Sequence, residues 1–341
     1  MPRVVIAPDK FRGTATAAQV ARAMADAATG LGWEASVVAV ADGGEGMLDA
    51  CAVRCPQTEV TRVTGPDGSP VDAAWRWGDG LAVVELARAS GLTLAGGPGR
   101  NDPVRATSRG TGELVVAAVR RAGPGGTVVL GLGGSATTDG GLGLWEAVSA
   151  AGGLGGARLV GACDVDTRFV DAAVVFGPQK GAGPDDVVAL TDRLGRQAEA
   201  WARDLGIDVR DVPGSGAAGG AGGAVVVLGG TLRSGYRLVA DVVGLAAALD
   251  GADRVLTGEG ALDDGSFAGK VVGGVVGDAR ARGIDTLVVV GRASAGASDR
   301  VVAAGCSVVS LTERFGEDRA VDDAVGGVAA VTAEWLGPAA G

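Results

Sequence analysis

The chain contains no histidine among its 341 residues. This absence excludes Ser-His-Asp and Cys-His triads, zinc sites with histidine ligands, and a histidine general base. Proton transfer near neutral pH must therefore use an aspartate, glutamate, lysine, tyrosine or cysteine side chain. Cysteine is also scarce, and Cys51, Cys55, Cys163 and Cys306 follow no spacing typical of a metal site or a disulfide framework. We therefore expect free thiols.

Lysine is almost as rare. Of the 30 basic residues, only Lys10, Lys180 and Lys270 are lysines, and the rest are arginines. All three stand in turns flanked by glycine or proline. Because a lysine ammonium is compact and flexible, it can follow a migrating phosphoryl group, whereas the arginine guanidinium is a fixed planar fork. The three lysines are therefore candidates for phosphoryl-transfer chemistry; drift in an arginine-biased composition is the alternative.

The chain also lacks a long apolar run and a basic block. No segment approaches the ~20 apolar residues that span a bilayer, and the N-terminus does not resemble a signal peptide. A formal net charge of −10 argues against nucleic acid as the main partner. We expect a cytoplasmic monomer or homodimer that binds small molecules, with neither a membrane nor a nucleic-acid partner.

Glycine, in contrast, is abundant, with 62 residues that cluster at the ends of apolar runs. Alternating apolar strands and amphipathic helices predict an α/β protein with a five-stranded, doubly wound parallel sheet formed by residues 1–57 and 241–341. Residues 58–240 predict an inserted mixed α/β domain that opens with a hairpin over 58–80. Ligands of doubly wound sheets bind at the carboxyl ends of the strands, so we expect the active site in the interdomain cleft.

Two glycine-rich segments are candidate phosphate loops. The first, GLGGSATTDGG (131–141), follows a predicted strand and precedes a helix, where backbone N–H groups can bind an anion. Asp139 within it could bind Mg²⁺ or accept a substrate proton. The second, GSGAAGGAGG (214–223), follows no convincing strand. For both segments, simple packing of glycine turns is the alternative. The candidate phosphate-binding residues are Gly133, Gly134, Ser135, Thr137, Gly214, Ser215 and Gly216.

Carboxylates and cations follow several other strands. Asp42 and Glu45 in ADGGEG could serve Mg²⁺ or a substrate hydroxyl, or could form a capping box. Arg109 could bind a substrate carboxylate or could be a solvated loop residue. Segment 265–272 does not fit a Walker A loop, because its spacing is one residue short and Val271 replaces the Ser or Thr. Lys270 within it could still pair with a carboxylate or a phosphate.

Ten motifs together resemble the type I glycerate kinase family over nearly the whole chain. In order, they are APDKFRGTATA, ADGGEG, TGPDG, SRGTGEL, GLGGSATTDGG, ACDV, FGPQKGA, VPGSGAAGG, TGEGALD and GK. The resemblance implies ATP-dependent phosphorylation of D-glycerate, with the 2-hydroxyl as the expected acceptor. It also implies a discontinuous flavodoxin-like domain with an inserted α/β domain. Departures occur at Arg12, at residues 167–169 and at Ala261, where the family usually has other residues.

From these patterns we expect a kinase of a small hydroxy acid, D-glycerate first, that uses ATP and Mg²⁺. The expected catalytic residues are Lys10, Asp42, Asp139, Lys180, Glu259 and Asp263, with Asp42 and Asp139 as the Mg²⁺ ligands. The expected binding residues outside the glycine loops are Asp9, Arg12, Arg109 and Lys270. A kinase of another hydroxy acid, a dinucleotide-dependent oxidoreductase, a GHMP-type kinase and a non-catalytic anion-binding protein are the alternatives.

Overall fold

The computed structural model describes residues 1–11, 13–267 and 269–339, so Arg12 lies outside the described residues. The chain forms two compact units, one of Met1–Ala41 with Val239–Gly341 and the other of Asp42–Leu238. The sequence pattern placed residues 42–57 in the first domain, whereas these residues belong to the second unit. None of the helices in the described part of the chain is long and apolar enough to cross a membrane.

The strands form a five-stranded sheet and a six-stranded sheet. In chain order the strands are β1 Arg3–Ile6, β2 Glu34–Val37, β3 Gln57–Thr64, β4 Pro70–Gly78, β5 Leu81–Glu85, β6 Thr127–Gly131, β7 Arg158–Ala162, β8 Thr231–Arg233, β9 Arg254–Leu262, β10 Asp285–Ala293 and β11 Ser307–Ser310.

The helices range from single turns to the 22-residue helix Pro184–Leu205. In chain order they are α1 Ala17–Gly30, α2 Met47–Ala50, α3 Ala87–Ser90, α4 Arg109–Ala122, α5 Leu142–Ala150, α6 Ala172–Phe176, α7 Pro184–Leu205, α8 Ala217–Val227, α9 Gly235–Val243, α10 Leu245–Leu249, α11 Val271–Arg280, α12 Ala295–Ala303, α13 Leu311–Phe315, α14 Glu317–Asp322 and α15 Ala324–Leu336.

The first unit contains a fully parallel sheet with the order β11-β10-β9-β1-β2. Counted along this unit alone, the order is 2-1-3-4-5, which is the flavodoxin-like arrangement. Alternate residues of β10 face opposite sides: Leu287 and Val289 pack with α1 and α15, whereas Val288 and Val290 pack with α11 and α12. The predicted doubly wound parallel sheet is confirmed.

The second unit contains the mixed sheet, in the order β3-β4-β5-β6-β7-β8. Strands β3, β4 and β5 pair antiparallel, which confirms the hairpin predicted over 58–80, and β5 to β8 pair parallel. Parallel strands end at the same edge of a sheet. The last residues of β5 to β8 are therefore neighbours along one edge, and this edge carries the candidate site. They are Glu85, Gly131, Ala162 and Arg233.

Helices α4 and α5 pack closely because α4 carries a glycine at their contact. A Cβ at Gly112 would lie 2.6 Å from the carbonyl oxygen of Leu144 and 2.8 Å from the Cβ of Ala147. Gly195, inside α7, has no heavy atom within 4 Å of the same position. Both glycines therefore lie inside a helix, but Gly112 is closely packed and Gly195 has open space around it.

We expect Gly112→Ala to destabilise the protein by about 1–3 kcal/mol, because the added methyl overpacks a tight helix contact. Gly195→Ala should instead stabilise it by ~0.5–1 kcal/mol through helix propensity alone. Denaturant unfolding with a common m-value measures both changes. Equal stabilisation of the two variants would contradict the close α4–α5 contact.

Candidate active site

The turn that contains ADGGEG is fixed to the second unit by Glu85. This carboxylate is only 3% exposed, and its Oε1 accepts hydrogen bonds from the backbone N–H groups of Gly46 and Leu48, both at 3.1 Å. Its Oε2 lies 3.1 Å from Nε of Arg88. A buried carboxylate needs such partners, and they explain why residues 42–57 belong with the inserted unit. Helix α2 has Gly46 as its N-cap without a side-chain cap, so Asp42 is not the residue that caps this helix.

Backbones approach one another closely at the carboxyl edge of the second sheet. A Cβ on Gly133 would lie 2.7 Å from the Cα of Gly44, and one on Gly43 would lie 2.9 Å from the Cα of Gly235. Side chains could not fit at these contacts, which is the physical reason for glycine there. The ADGGEG, GLGG and SGY segments therefore meet at one place. Of the candidate phosphate-binding residues in this loop, Gly133 is partly exposed and Gly134 is exposed.

Asp42 and Asp164 form a carboxylate pair beside these glycines. Oδ1 of Asp164 accepts hydrogen bonds from Gly235 N at 2.9 Å and Ser234 Oγ at 3.1 Å. Its Oδ2 is buried and has no partner among the described residues. Burial, and then the negative charge of Asp42, raise the pKa of Asp164 to about 7. Oδ1 of Asp42 accepts the N–H of Gly44 at 3.2 Å. One carboxyl group is thus poised to exchange a proton near neutral pH.

Asp139 anchors the glycine-rich turn to neighbouring backbone. Its Oδ2 accepts hydrogen bonds from Ser108 N at 2.8 Å, Ser108 Oγ at 2.7 Å and Gly143 N at 3.4 Å. Its Oδ1 accepts the N–H of Gly141 at 3.0 Å. A carboxylate offers about four acceptor sites, so most of this capacity is used within the protein. The geometry therefore favours a loop-holding role for Asp139 over metal ligation.

Side-chain donors hold four carbonyl groups of the same turn. Each donor comes from a residue far away in the sequence. The pairs are Asn101 Nδ2 with Ala136 O at 3.0 Å, Lys180 Nζ with Thr137 O at 2.7 Å, Arg193 NH2 with Thr138 O at 2.6 Å, and Gln197 Nε2 with Gly140 O at 2.9 Å. The turn is consequently rigid, and its carbonyl groups are turned toward these donors.

Lys180, which stands in a turn flanked by glycine and proline, is buried. Its side chain is 2% exposed, and Nζ also donates to Ser135 Oγ at 2.8 Å. Burial lowers the pKa of Lys180 to about 7, and the negative charge of Asp139 partly opposes this. Ser135 and Thr137 are buried with it. These three residues support the turn from within, so a ligand would meet Gly133 and Gly134 first.

The segment around 214–216 is packed against the protein interior. Ser215 is fully buried, and its hydroxyl donates to backbone carbonyls of Val209 and Val212. A Cβ on Gly216 would lie 2.3 Å from Arg168 O, and one on Gly214 would lie 3.1 Å from Sγ of Cys163. This geometry favours the packing alternative for the second glycine-rich segment.

The first unit carries a second carboxylate pair, beyond the end of β1 and beside β9. Glu259 lies on β9, and the N–H of Asp9 donates to the adjacent Gly258 carbonyl at 2.8 Å. Oε1 of Glu259 is buried and has no partner within the described ranges. Burial raises the pKa of Glu259 to about 7; a hydrogen bond with Ser266 and the charge of Lys270 oppose the rise, and Asp9 and Asp263 add to it. This is the switch point of the sheet, where ligands of such folds bind.

The loop after β9 brings further predicted residues to this pair. The N–H of Asp263 donates to Ser266 Oγ at 3.1 Å, which positions the hydroxyl that faces Glu259. Lys270 is the N-cap residue of α11. Lys10 follows Asp9 directly, and its backbone N–H donates to Asp9 Oδ1 at 2.7 Å. The structure thus gathers Asp9, Lys10, Glu259, Asp263 and Lys270 at one edge of the first sheet.

Arg109 has a protein partner. Its Nε lies 3.2 Å from Oε1 of Glu113, one turn further along α4. Glu113 in turn accepts hydrogen bonds from the N–H and hydroxyl of Thr64. Such an i,i+4 pair stabilises the helix start. The guanidinium is therefore less suited to a substrate carboxylate than the sequence pattern suggested.

No group of three or more acidic or cysteine side chains in the described part of the chain forms a ready metal cage. Mg²⁺, however, usually takes only one or two protein carboxylates and completes its shell with water and substrate phosphates. Both carboxylate pairs, each with a buried unpartnered oxygen, fit that requirement. Asp139 fits it poorly, because its oxygens are hydrogen-bonded.

The sequence patterns missed several residues that build this region. Glu85, Asp164, Arg193 and Gln197 act through contacts with distant segments. The sequence could have identified Asp164 as a site residue, since it lies in the ACDV motif directly after a strand. Arg193 and Gln197 stand on the long helix α7 at positions that look solvated.

Comparison with known proteins agrees with the motifs. The model of the glycerate kinase family matches residues 4–153 and 149–334. A glycerate 2-kinase of Escherichia coli is 37% identical over 310 residues, which cover 80% of this chain and 81% of the relative. The chain belongs to the glycerate kinase family. The family resemblance predicted from the motifs is thus confirmed, and so is the prediction of a glycerate kinase.

A second relative and a crystal structure are similar to this glycerate kinase over most of its length. A glycerate kinase of Bacillus subtilis is 35% identical over 332 residues, which cover 86% of this chain and 85% of the relative. A crystal structure assigned to glycerate kinase 2 of Salmonella typhimurium has a TM-score of 0.79 and 30% identity, and covers 98% of both chains. The parallel, doubly wound sheet also decides against a GHMP-type kinase.

We expect the pH dependence of stability to reveal the buried lysine of this glycerate kinase. The pKa of Lys180 is about 7 in the folded chain, against 10.5 for a lysine in the unfolded chain. Between these values the unfolded chain binds more protons, so the free energy of unfolding rises with pH, by at most ~1.4 kcal/mol per pH unit. Lys180→Met should remove this rise.

Urea unfolding at a series of pH values between 7 and 10 measures the difference between parent and variant. Lys270→Met is the matched control, because Lys270 is partly exposed, and its profile should keep the parental slope. Parallel profiles for the parent and Lys180→Met would show that the ammonium is not buried in solution.

Proposed function

We propose that this glycerate kinase transfers the γ-phosphoryl group of ATP to the 2-hydroxyl of D-glycerate, with Mg²⁺ as the required cation. Family membership supports glycerate and a nucleotide as the substrates. In a chain without histidine, we assign a carboxylate as the group that accepts the hydroxyl proton, as in other kinases.

The Asp42–Asp164 pair is the observation that carries this proposal. Oδ2 of Asp164 is buried and unpartnered among the described residues, beside the closely approaching backbones of Gly43 and Gly235. A pKa of about 7 suits a general base, because the group is deprotonated at working pH yet basic enough to take a proton. We assign Asp164 as the proton acceptor. Asp42 would hold Mg²⁺, which would neutralise phosphate charge.

The exposed glycines of the first loop complete the arrangement. Gly133 and Gly134 present backbone to solvent, whereas the side chains below them are buried. Backbone N–H groups bind phosphate without a bulky side chain in the way. We assign Gly133 and Gly134 to the phosphate chain, with Lys180, Ser135, Thr137 and Asp139 as the support that fixes their position.

The edge of the first sheet carries a second group of charged side chains that includes two lysines. Lys10 and Lys270 lie near the Asp9–Glu259 pair, which gives a site of mixed charge at the switch point. We assign Lys10 and Lys270 to neutralise phosphate charge, while Glu259 and Asp263 orient them. An ammonium at such a site contributes most when charge migrates during transfer.

A coupled assay of ADP release tests the activity. We expect turnover with D-glycerate only when both ATP and Mg²⁺ are present, and ³¹P NMR should identify 2-phosphoglycerate as the product. Turnover with L-glycerate or lactate but not with D-glycerate would show that the assigned substrate is wrong. Formation of 3-phosphoglycerate would show that the 3-hydroxyl is the acceptor. No turnover with any hydroxy acid would refute the proposal.

Substitution of Asp164 tests the base. We expect Asp164→Asn to lower kcat by ~10²-fold or more, because a general base contributes about this much. The control Asp166→Asn, two residues away and exposed, should keep kcat within about threefold. In the parent, kcat/KM should rise with pH through about 7, the pKa of Asp164, and lose this limb in the variant.

Thermal unfolding separates this effect from misfolding. A carboxyl group whose folded pKa is raised costs stability above its unfolded pKa, and the cost is complete above about 7. Asp164→Asn should therefore melt at or above the parental temperature at pH 8. Full activity in Asp164→Asn would assign the proton transfer to another carboxylate.

A further inference from the structure

Glu85 is a buried acidic side chain to which the proposed reaction gives no part. It is the last residue of β5 and is almost completely shielded from solvent. Its Oε1 accepts the backbone N–H groups of Gly46 and Leu48, and its Oε2 accepts Nε–H of Arg88. A buried carboxylate is costly unless such donors surround it. Two of the three donors belong to the segment that carries Asp42.

Glu85 caps helix α2 from a different element of the fold. Gly46 is the N-cap residue of this helix and offers no side-chain cap, and Leu48 is its second residue. N–H groups at the start of a helix have no acceptor within the helix. Glu85 accepts two of them although it lies 39 and 37 residues further along the chain. A cap from so far away also fixes the start of α2 to the end of β5, which a local cap could not do.

The distant cap leaves the Asp42 carboxylate available. The sequence allowed Asp42 and Glu45 to form a capping box, which would have used this carboxylate within the turn. In the structure its Oδ1 accepts the N–H of Gly44, and its Oδ2 accepts no hydrogen bond from the described residues. Because Glu85 supplies the cap, Asp42 keeps acceptor capacity for a cation.

Other contacts of the same turn with the sheet edge are made by glycine. A Cβ on Gly131, the last residue of β6, would lie 2.6 Å from the carbonyl oxygen of Gly43. A Cβ on Gly43 would lie 3.0 Å from the Cβ of Ala162, the last residue of β7. Such van der Waals contacts are individually weak, whereas hydrogen bonds to a carboxylate are directional and strong. Glu85 therefore contributes the directional part of the attachment.

We propose that Glu85 is a positioning residue of this kinase: its carboxylate holds the turn of residues 42–46 at the carboxyl edge of the second sheet and so keeps Asp42 in place beside Asp164. This inference rests on the proposed function, in which Asp42 holds Mg²⁺. Glu85 itself touches neither the substrate nor the cation. A displacement of ~1 Å at a reacting centre can cost about 10²-fold in rate, so the hold on this turn matters for catalysis.

Two substitutions separate the hydrogen bonds of Glu85 from its bulk. Glu85→Met keeps an unbranched side chain of similar length but offers only a weak acceptor, whereas Glu85→Gln keeps one strong acceptor oxygen. The probe is Mn²⁺ alone, titrated without nucleotide and followed by electron paramagnetic resonance. We expect Glu85→Met to bind Mn²⁺ about tenfold or more weakly, as for other residues that position metal ligands. Glu85→Gln should recover most of the affinity. In turnover, Glu85→Met should lower kcat more than it raises KM for D-glycerate.

Amide hydrogen exchange measures the hold on the turn directly. Exchange over residues 42–50 should accelerate in Glu85→Met, because two N–H groups lose their acceptor. Unchanged exchange in this segment would overturn the proposal, whatever the catalytic result.

A double variant shows whether Glu85 acts through Asp42. Asp42→Asn should weaken Mn²⁺ binding, and Glu85→Met added to it should cause little further loss, because coupled residues are not additive. Fully additive losses would show that Glu85 acts elsewhere and would overturn the proposal.

Glu113→Met is the matched control. Glu113 has the same kind of partners, since it accepts the N–H of Thr64 at 2.8 Å and lies 3.2 Å from Nε of Arg109. It holds β3, however, and not the turn that carries Asp42. This variant should lower the urea midpoint of unfolding but bind Mn²⁺ and turn over like the parent. An equal loss of Mn²⁺ affinity in Glu113→Met would reduce the effect to general destabilisation and overturn the proposal.

The remaining outcomes separate this role from the proposed function. A lower urea midpoint in Glu85→Met, with parental Mn²⁺ affinity and kcat, would make Glu85 a purely structural residue and overturn the positioning role. Hydrogen exchange and Mn²⁺ binding need no catalysis. A parent that phosphorylates no hydroxy acid, but whose Mn²⁺ affinity falls selectively in Glu85→Met, would refute the proposed function and support the positioning of Asp42.

Discussion

The glycine-rich turn depends on one buried ammonium, that of Lys180. A charge removed from water is costly unless it is hydrogen-bonded, and here Ser135 and Thr137 supply the acceptors. Arg193 and Gln197 also donate hydrogen bonds to backbone carbonyls of this turn, those of Thr138 and Gly140. These hydrogen bonds fix the turn, while Gly133 is partly exposed and Gly134 is exposed. The rigidity needed to bind phosphate thus comes from beneath the loop.

Both units place a carboxylate pair where parallel strands end. Asp164 with Asp42 in the second unit, and Glu259 with Asp9 in the first, each include a buried oxygen without a partner among the described residues. Unsatisfied buried oxygens are rare in folded proteins because they cost stability. Two such carboxylate oxygens beside sheet edges, each on a group with a raised pKa, are typical of functional sites.

The sequence predicts the fold well because the signals are local. Apolar periodicity predicts the parallel sheet of the first unit, and the hairpin predicted over 58–80 is present as β3 and β4. The sequence around Lys180 does not show that this residue is buried. Lys180 stands in a turn flanked by proline and glycine, and contacts with Phe176, Ser135 and Thr137 bury it. No local rule predicts that Arg193 bonds Thr138, 55 residues away. The Arg109–Glu113 pair, in contrast, follows from helical spacing alone.

The raised pKa values of Asp164 and Glu259 have a consequence for the heat of ligand binding. With pKa values of about 7, each carboxyl group is partly protonated in neutral solution. A cation that binds there displaces protons, which the buffer takes up. The measured binding enthalpy therefore varies with the ionisation enthalpy of the buffer, and the apparent affinity for the cation increases as the solution becomes more alkaline. In a chain without histidine, these carboxyl groups and the Lys180 amine are the groups with a pKa of about 7.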